Sequence, residues 1–367
     1  MNQQLLYHIA LTAIPNIGNI TAKKLIAYCG GAEAVFAEKK RALEKISGIG
    51  VVNTSRILDH KAESLVLAEQ ELKFIEKNNI NALCFNDELF PKRLSHCEDG
   101  PIVLFSKGDF DYNAQKVISI VGTRKATDYG KDFCEQLLEN LKPHKPLIVS
   151  GLAFGVDICA HKEALKNNLP TIGVTAHGLD RLYPSQHKSV ADQMLSNGGL
   201  VTEFLSGTKP DRENFPKRNR IVAGLADAII VIESSKKGGS LITAELGNSY
   251  NRDVFALPGK ITDSQSEGCN ALIKQNKAHL LQSFKDLEYI MGWEAQTPKN
   301  NRQAQLFIEL TPEEQLLFNL LKEQDKTNID DLALKAKLPM SKTASLLLEM
   351  EFNNIVKSLP GKMYKVI

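Results

Sequence analysis

The sequence lacks the cysteine patterns of secreted and zinc-binding proteins. Its six cysteines lie far apart and form no C-x-x-C pair, which argues against a disulfide framework and against a zinc site. The N-terminus lacks the basic and apolar regions of a signal peptide, and no apolar run is long enough to cross a membrane. We therefore expect a cytoplasmic protein that binds neither a metal nor a membrane.

An excess of charge of one sign is also missing. The net charge is only +2 and the pI is near 8.1. A surface for nucleic acid would therefore come from local clusters of basic residues, not from the chain as a whole. Of the 367 residues, 43% are hydrophobic, so the chain can form two or three domains with cores of their own.

The sequence contains neither of two common nucleotide-binding fingerprints. The segment after the first strand of the central region reads GTRKATDYG instead of G-x-G-x-x-G, and G-x-x-x-x-G-K-[ST] does not occur. No serine or cysteine lies in a nucleophile-elbow context, and no pair of carboxylates is matched for acid and base work. We therefore expect no cofactor and no nucleotide hydrolysis.

The first part of the chain contains two similar segments, Ile14–Ile26 and Ile46–Leu58. Each has an apolar residue, a glycine turn and an amphipathic helix, and each resembles a helix-hairpin-helix motif, whose turn brings backbone N–H groups close to a nucleic-acid phosphate. The second copy has both glycines of the usual turn, Gly48 and Gly50, and is predicted to be the better binder. The alternative is a packing or docking module. We assign residues 1–84 to this helical domain.

Residues 85–292 alternate between apolar, β-rich runs and helical stretches. This alternation predicts an α/β fold with an extended Rossmann-like, doubly wound and mostly parallel sheet. The predicted strands are Ile102–Phe105, Val117–Val121, Leu147–Val149, Thr171–Val174, Leu200–Thr202, Ala228–Ile232 and Val254–Leu257.

Glycine-rich turns follow three of these strands, those that end at Val121, Val149 and Ile232. Ligands of doubly wound sheets bind beyond the carboxyl ends of the strands, so the three turns are expected to form one phosphate-binding cleft. Glycines let the ligand reach backbone amides, and arginine and lysine supply positive charge. The residues expected to line this cleft are Gly122, Arg124, Gly151, Gly155, Lys236, Lys237, Gly238, Gly239 and Ser240.

A basic cluster lies just before the strand that starts at Ala228. Residues 212–220 contain four basic residues and one acidic residue, with Phe215 and Asn219 between them. An aromatic ring that stacks on a base, together with guanidinium groups that bind phosphates, suits single-stranded nucleic acid. The alternatives are that Arg218 and Arg220 lie on a solvated helix face with Phe215 in the core, and that Arg124 forms a structural salt bridge.

Six motifs occur in the order typical of the DprA/Smf family, which this chain resembles. They are VGTR (121–124), SGLAFGVD (150–157), FPKRNRIVAGLAD (215–227), GGSLITAE (238–245), VFALPG (254–259) and EGCNALI (267–273). The resemblance implies a homodimeric protein that binds single-stranded DNA and loads the RecA recombinase during natural transformation. It also implies DNA contacts from Arg124, from Ser150 and Gly151, from Arg218, Asn219 and Arg220, and from the Lys236–Ser240 turn. Thr123, in the turn beside Arg124, is a further candidate for phosphate binding.

Two features leave other functions open. In the Tyr183–His187 loop, serine and histidine stand where the family often has lysine and asparagine, so the role of that loop is in doubt. The segment Gly238–Glu245 also partly matches the G-G-x-G-T-x-x-E turn of phosphoribosyl-cleaving enzymes, with Glu245 as the acid and without the third glycine. The alternatives are therefore a nucleoside-monophosphate phosphoribohydrolase, or a scaffold whose end domains bind partners.

The last part of the chain is predicted to be a linker followed by a winged-helix-like domain. Residues 293–305 are polar and lack periodicity, which is typical of a linker. Within residues 306–367, helices at 329–336 and 341–352 and a hairpin around Pro360 indicate a winged helix. Its acidic and basic residues balance, so protein docking is favoured over reading of DNA bases.

Overall fold

The computed structural model describes residues 3–293, 310–324, 326–353, 355–359 and 362–366. The chain divides into two compact units, residues 1–294 and 295–367, and each is described by itself. Among the described residues, no helix is both long and apolar enough to span a membrane.

The first unit begins with five helices that form two hairpins of the same kind. In the first turn the N–H of Ile17 donates to the Ile14 carbonyl, and in the second the N–H of Ile49 donates to Ile46. Asn16 takes the left-handed conformation (φ 60°) that Gly48 takes in the second turn (φ 83°), so asparagine replaces the missing glycine. The helices are α1 Gln3–Ala13, α2 Asn19–Cys29, α3 Ala32–Ala37, α4 Lys40–Lys45 and α5 Gly50–Lys77.

A nine-stranded sheet follows, with the spatial order β1-β2-β6-β5-β4-β3-β7-β8-β9. β1 and β2 pair antiparallel, β2 and β6 also pair antiparallel, and the other neighbours are parallel. The strands are β1 Asn81–Cys84, β2 Val103–Asp109, β3 Val117–Val121, β4 Leu147–Ser150, β5 Thr171–Val174, β6 Gly198–Thr202, β7 Ala228–Val231, β8 Asp253–Ala256 and β9 His279–Leu280.

Helices cover both faces of this sheet, as a parallel sheet requires. β7 is buried along its whole length between β3 and β8, which explains its run of Ala, Ile and Val. The helices of the sheet region are α6 Lys92–Ser95, α7 Asp128–Leu141, α8 Val156–Lys166, α9 Lys188–Met194, α10 Asn214–Leu225, α11 Gly239–Ser249, α12 Glu267–Lys274 and α13 Phe284–Met291.

The predicted α/β fold with a mostly parallel sheet is confirmed, and all seven predicted strands form within a few residues of their expected bounds. The sequence analysis missed β1 and β9. β9 has only two residues, both exposed, so it is too short to give a strand pattern. β1 pairs with β2, and Ile80, Ile102 and Phe105 share a buried core with the N-terminal helices.

The second unit has the winged-helix form that the sequence predicts. Thr311 and Glu314 form a capping box at the start of α14, with Pro312 as its first residue. The predicted linker falls on residues outside the described part of the chain, except for Trp293, and the Pro360–Gly361 turn and Ile367 also lie outside it. The elements are α14 Pro312–Lys322, β10 Thr327–Asn328, α15 Ile329–Ala336, α16 Met340–Phe352, β11 Val356–Leu359 and β12 Met363–Val366, with the sheet order β10-β12-β11.

Candidate nucleic-acid interface

A cavity of about 250 Å³ lies at the carboxyl ends of β3, β4 and β7. The chain leaves β3 toward β4 on one side, while β7 lies on its other side. This is the switch point of a doubly wound sheet, where the crevice between diverging connections accepts a ligand. Residues from the turns after β3, β4 and β7 and from α10 line the cavity. The three glycine turns therefore converge, as expected.

The turn after β3 is tied to the end of β7. The N–H of Thr123 donates to the Glu233 carbonyl at 2.7 Å, and the N–H of Val156 donates to the Thr123 carbonyl at 3.1 Å. The Glu233 side chain is fully buried, and its carboxylate accepts from the N–H (2.8 Å) and the hydroxyl of Thr127. These bonds fix the segment that carries the exposed side chain of Arg124.

Arg124 lies against an aromatic pair at the rim of the cavity. Its guanidinium carbon is 5.4 Å from the centre of the Phe215 ring, within cation–π range. Phe215 in turn meets Tyr183 edge to face, with ring centres 6.2 Å apart. Phe215 is only partly buried, so it is not a core residue and part of its ring is open to solvent. The rim thus combines one guanidinium with two partly open aromatic rings.

The turn after β4 is organised by Asp157. Its carboxylate accepts from the N–H groups of Gly151 (3.2 Å) and Ala153 (3.4 Å). Burial raises the pKa of Asp157, and the positive charge of Arg218 opposes that shift. Asp157 is the second residue of α8 and Gly155 is its N-cap, so this carboxylate holds the turn and does not cap the helix.

Arg218 forms a buried positive charge that lines the cavity. The residue is 5% exposed, and its Nη1 donates to the Val174 carbonyl at 2.6 Å. Its Nε has no hydrogen-bond partner among the described residues. Burial lowers the pKa of Arg218, and Asp157 partly offsets that effect. A Cβ at Gly151 would lie 1.9 Å from Nη1, so a larger residue there would force this buried guanidinium to move. An anion in the cavity would compensate the charge.

The turn after β7 leads into α11 without a side-chain cap. Gly238 is the N-cap residue and has no side chain to bond the first N–H groups of the helix. Gly239 and Ser240 start the helix and line the cavity, and Asn219 Nδ2 donates to the Gly239 carbonyl at 3.5 Å. Open N–H groups at the positive end of a helix dipole attract anions.

Nine of the predicted site residues line the cavity, and four others lie close to it. Gly151 and Gly155 form the turn behind its wall, and Lys236 and Lys237 are exposed on the third turn, outside the lining. The nine lining residues are Gly122, Thr123, Arg124, Phe215, Arg218, Asn219, Gly238, Gly239 and Ser240.

Two predicted contacts need correction, and Ser150 is the first. Its side chain is fully buried at the end of β4, and its hydroxyl donates to the Ile120 carbonyl at 2.6 Å. A ligand in the cavity does not meet it. Ser150 instead ties β4 to β3 beneath the two turns, so its role is structural.

Arg220 is the second correction, because it points away from the cavity. Its guanidinium bonds to the Asp99 carbonyl and to the Glu203 carboxylate. The side chains of Arg220 and Glu203 are only 12% and 10% exposed. Asn19 Nδ2 also donates to Glu203, at 3.1 Å. Arg220 therefore helps to join the N-terminal helices to the sheet.

Arg220→Ala should lower stability and leave DNA binding nearly unchanged. Removing the guanidinium leaves Glu203 with Asn19 as its remaining partner, at a cost of roughly 2 kcal/mol. Urea unfolding followed by the fluorescence of the single tryptophan, Trp293, measures this cost. Lys217→Ala, at an exposed neighbouring site, is the control and should cost well under half as much. A lower salt dependence of DNA binding in Arg220→Ala would contradict the placement.

The sequence analysis did not identify the roles of Glu233 and Asp157 in holding the turns. Glu233 follows the apolar run of β7 directly, and a carboxylate at that point is a signal that could have been used. It also missed Ile242 and Thr243, which line the cavity from α11. No group of three or more potential metal ligands occurs among the described residues.

Glu245 lies on the second turn of α11. Its exposed carboxylate is 3.3 Å from Lys277 Nζ, and it does not line the cavity. An acid that releases the base must reach the N-glycosidic bond of the nucleotide whose phosphate the cavity binds. The geometry therefore does not favour the phosphoribohydrolase alternative.

The fold and the cavity define a doubly wound α/β protein whose switch-point cavity is lined by a buried arginine and by the start of α11. A family model described as DNA recombination-mediator protein A matches residues 81–291, and one described as DprA winged helix domain matches residues 302–362. The chain belongs to the DprA/Smf family of DNA-processing proteins.

Individual relatives agree with this assignment. Protein Smf of Escherichia coli is 32% identical over 321 residues, which cover 86% of this chain and 84% of that protein. The X-ray structure of DNA processing protein A from Streptococcus pneumoniae aligns with a TM-score of 0.65 at 31% identity, over 77% of this chain and 97% of that one. A structure concerning single-stranded DNA binding by the Helicobacter pylori protein aligns with a TM-score of 0.53 at 29% identity, over 58% and 96%.

Proposed function

We propose that this protein binds single-stranded DNA at the switch-point cavity and mediates recombination without cutting or transferring any group. The observation that carries the proposal is the set of unsatisfied donors around one small cavity. The Nε of buried Arg218 lacks a partner among the described residues, and the uncapped start of α11 opens onto the same space. Both attract a phosphate.

Preference for a single strand follows from the aromatic rim. Phe215 and Tyr183 lie beside Arg124, where a base next to the bound phosphate can stack on a ring. In a duplex the faces of the bases are already stacked on one another and are not accessible. A strand with free bases can therefore satisfy both the donors and the rings.

The later step that we propose is transfer of the bound strand to a RecA-type recombinase by a homodimer of this protein. Its support is the family, whose model is described as a recombination mediator, and the Helicobacter relative, whose structure concerns single-stranded DNA. Addition of the protein should speed recombinase filament formation on single strands that are already covered by a single-strand-binding protein.

A titration of labelled oligo-dT against a duplex of the same length tests the DNA-binding step. We expect tighter binding of the single strand, with log affinity falling by about 0.7 per neutralised phosphate per unit of log salt. Glu245→Gln should leave both affinities unchanged, because Glu245 lies outside the cavity. Equal affinity for the duplex would contradict the proposal. Release of free base from nucleoside monophosphates that Glu245→Gln abolishes would also contradict it.

A further inference from the structure

A second groove, which we call the Phe154 groove, lies beside the cavity. It has a volume of about 760 Å³ and runs between α8 and α9, together with the residues just before α9. The turn after β4 separates the two spaces. Ala153 and Asp157 line the cavity, whereas Phe154 and Ile158 line the groove. A bound strand that leaves the cavity across this turn enters the groove directly.

The groove presents an aromatic ring that is held in place and open to solvent. Phe154 is 42% exposed, although a phenylalanine is more often buried. Its ring meets His187 edge to face with centres 4.8 Å apart. His187 is itself buried and bonds through Nδ1 to the Leu152 carbonyl at 2.8 Å. The ring is thus positioned without being covered.

The Tyr183–His187 loop connects the groove to the cavity. Its first residue, Tyr183, contacts Phe215 at the cavity rim, and its last, His187, contacts Phe154. The N–H of Tyr183 donates to Nε2 of buried His177 at 3.1 Å, which anchors the start of the loop. The loop therefore has one ring pair at each end, one beside the cavity and one beside the groove.

The polar groups of the groove suit a polyanion. Lys162 and Lys166 line it, together with Gln186 and Gln193, and none of the residues that line it is acidic. Lys166 is already paired with Glu135. Lys162 is exposed, with no ion pair among the described residues, and so has a charge available for one phosphate.

We propose that the Phe154 groove is a second base-stacking subsite, which takes nucleotides of the same single strand that the cavity binds. Phe154 stacks on a base and Lys162 meets a phosphate. The proposal rests on the proposed function, since the occupant is the strand held in the cavity. It also gives the Tyr183–His187 loop a role, which is to guide the strand between the two spaces.

The test compares oligo-dT of increasing length, from about 4 to about 16 nucleotides, the range of site sizes known for single-strand-binding folds. The shortest strands fill the cavity alone, and longer ones reach the groove. Phe154→Ala should bind the shortest strands like the wild type and the longest about tenfold more weakly, the loss expected for one stacked base. Phe154→Trp should keep the wild-type affinity. Lys162→Gln should reduce the salt slope by about 0.7, on long strands only.

An abasic nucleotide, moved along a long strand, gives an independent readout. At one position it should weaken binding by the wild type but not by Phe154→Ala, because the stacked base is then already lost. Tyr289→Ala, at an aromatic residue that is 76% exposed and lines neither space, is the matched control and should match the wild type throughout.

The two proposals fail in different ways. If the wild type binds no oligo-dT of any length, the proposed function is wrong. If Arg124→Ala weakens binding at every length but Phe154→Ala has no effect at any length, the subsite is wrong and the groove has another occupant. An equal loss at all lengths in Phe154→Ala would also overturn it, because the residue would then act through the cavity.

Discussion

Arg124→Ala should weaken binding of oligo-dT about a hundredfold. Arg124 is an exposed guanidinium on a turn that is fixed through Thr123 and Glu233, so it is already in position before the strand arrives. Its loss removes a charge-assisted hydrogen bond to phosphate and the cation–π contact with Phe215. Together these are worth roughly 2 to 3 kcal/mol. Fluorescence anisotropy at several salt concentrations measures both affinity and slope, and the slope should fall by about 0.7.

Two control variants separate charge from shape at this position. Arg124→Lys keeps the charge but loses the planar fork, so the salt slope should remain while the affinity falls by less than in Arg124→Ala. Lys125→Gln removes the neighbouring exposed charge, which does not line the cavity, and should change affinity only slightly. Equal losses in Arg124→Ala and Lys125→Gln would mean that only the general positive potential matters, and the site assignment would fail.

The location of the site could be predicted from sequence, because it depends on topology alone. Parallel strands place their carboxyl ends at one edge, so the turns after Val121, Ser150 and Val231 had to meet there. The apolar run of β7 and the glycines after it were enough to indicate a strand followed by a phosphate-binding turn. These features are local, and local patterns are what a single sequence contains.

The direction of each side chain was harder to predict. A helix turns by about 100° per residue, so Arg218 and Arg220 on α10 point to nearly opposite sides and cannot both face the cavity. Periodicity alone does not tell which of them does, because the N-terminal helices offer a second buried face. The partner of Arg220, Glu203, lies on a different element of the fold. The direction of the Ser150 side chain could not be predicted for a similar reason, since the Ile120 carbonyl that accepts from its hydroxyl belongs to β3.

The largest structural effect is expected from Gly155→Ala. Gly155 has φ 77° and ψ −122°, a conformation that favours glycine. A Cβ there would lie 2.2 Å from the Thr123 carbonyl oxygen and 2.6 Å from the Arg124 carbonyl carbon. Both are backbone atoms, so the turn after β3 and the start of α8 would have to separate. We expect a loss of roughly 4 kcal/mol in the free energy of unfolding. DNA affinity should fall together with it, because Arg124 moves.

Gly207→Ala distinguishes this steric effect from the cost of a positive φ alone. Gly207 has φ 84°, but nothing lies within 4 Å of a Cβ at that position, so alanine should cost only about 1 to 2 kcal/mol there. It should also leave oligo-dT binding unchanged. Urea unfolding followed by Trp293 fluorescence compares the two variants in the same unit of the chain. If both variants lost equal stability and neither lost DNA affinity, the close approach of the two turns would have no part in holding Arg124 in place.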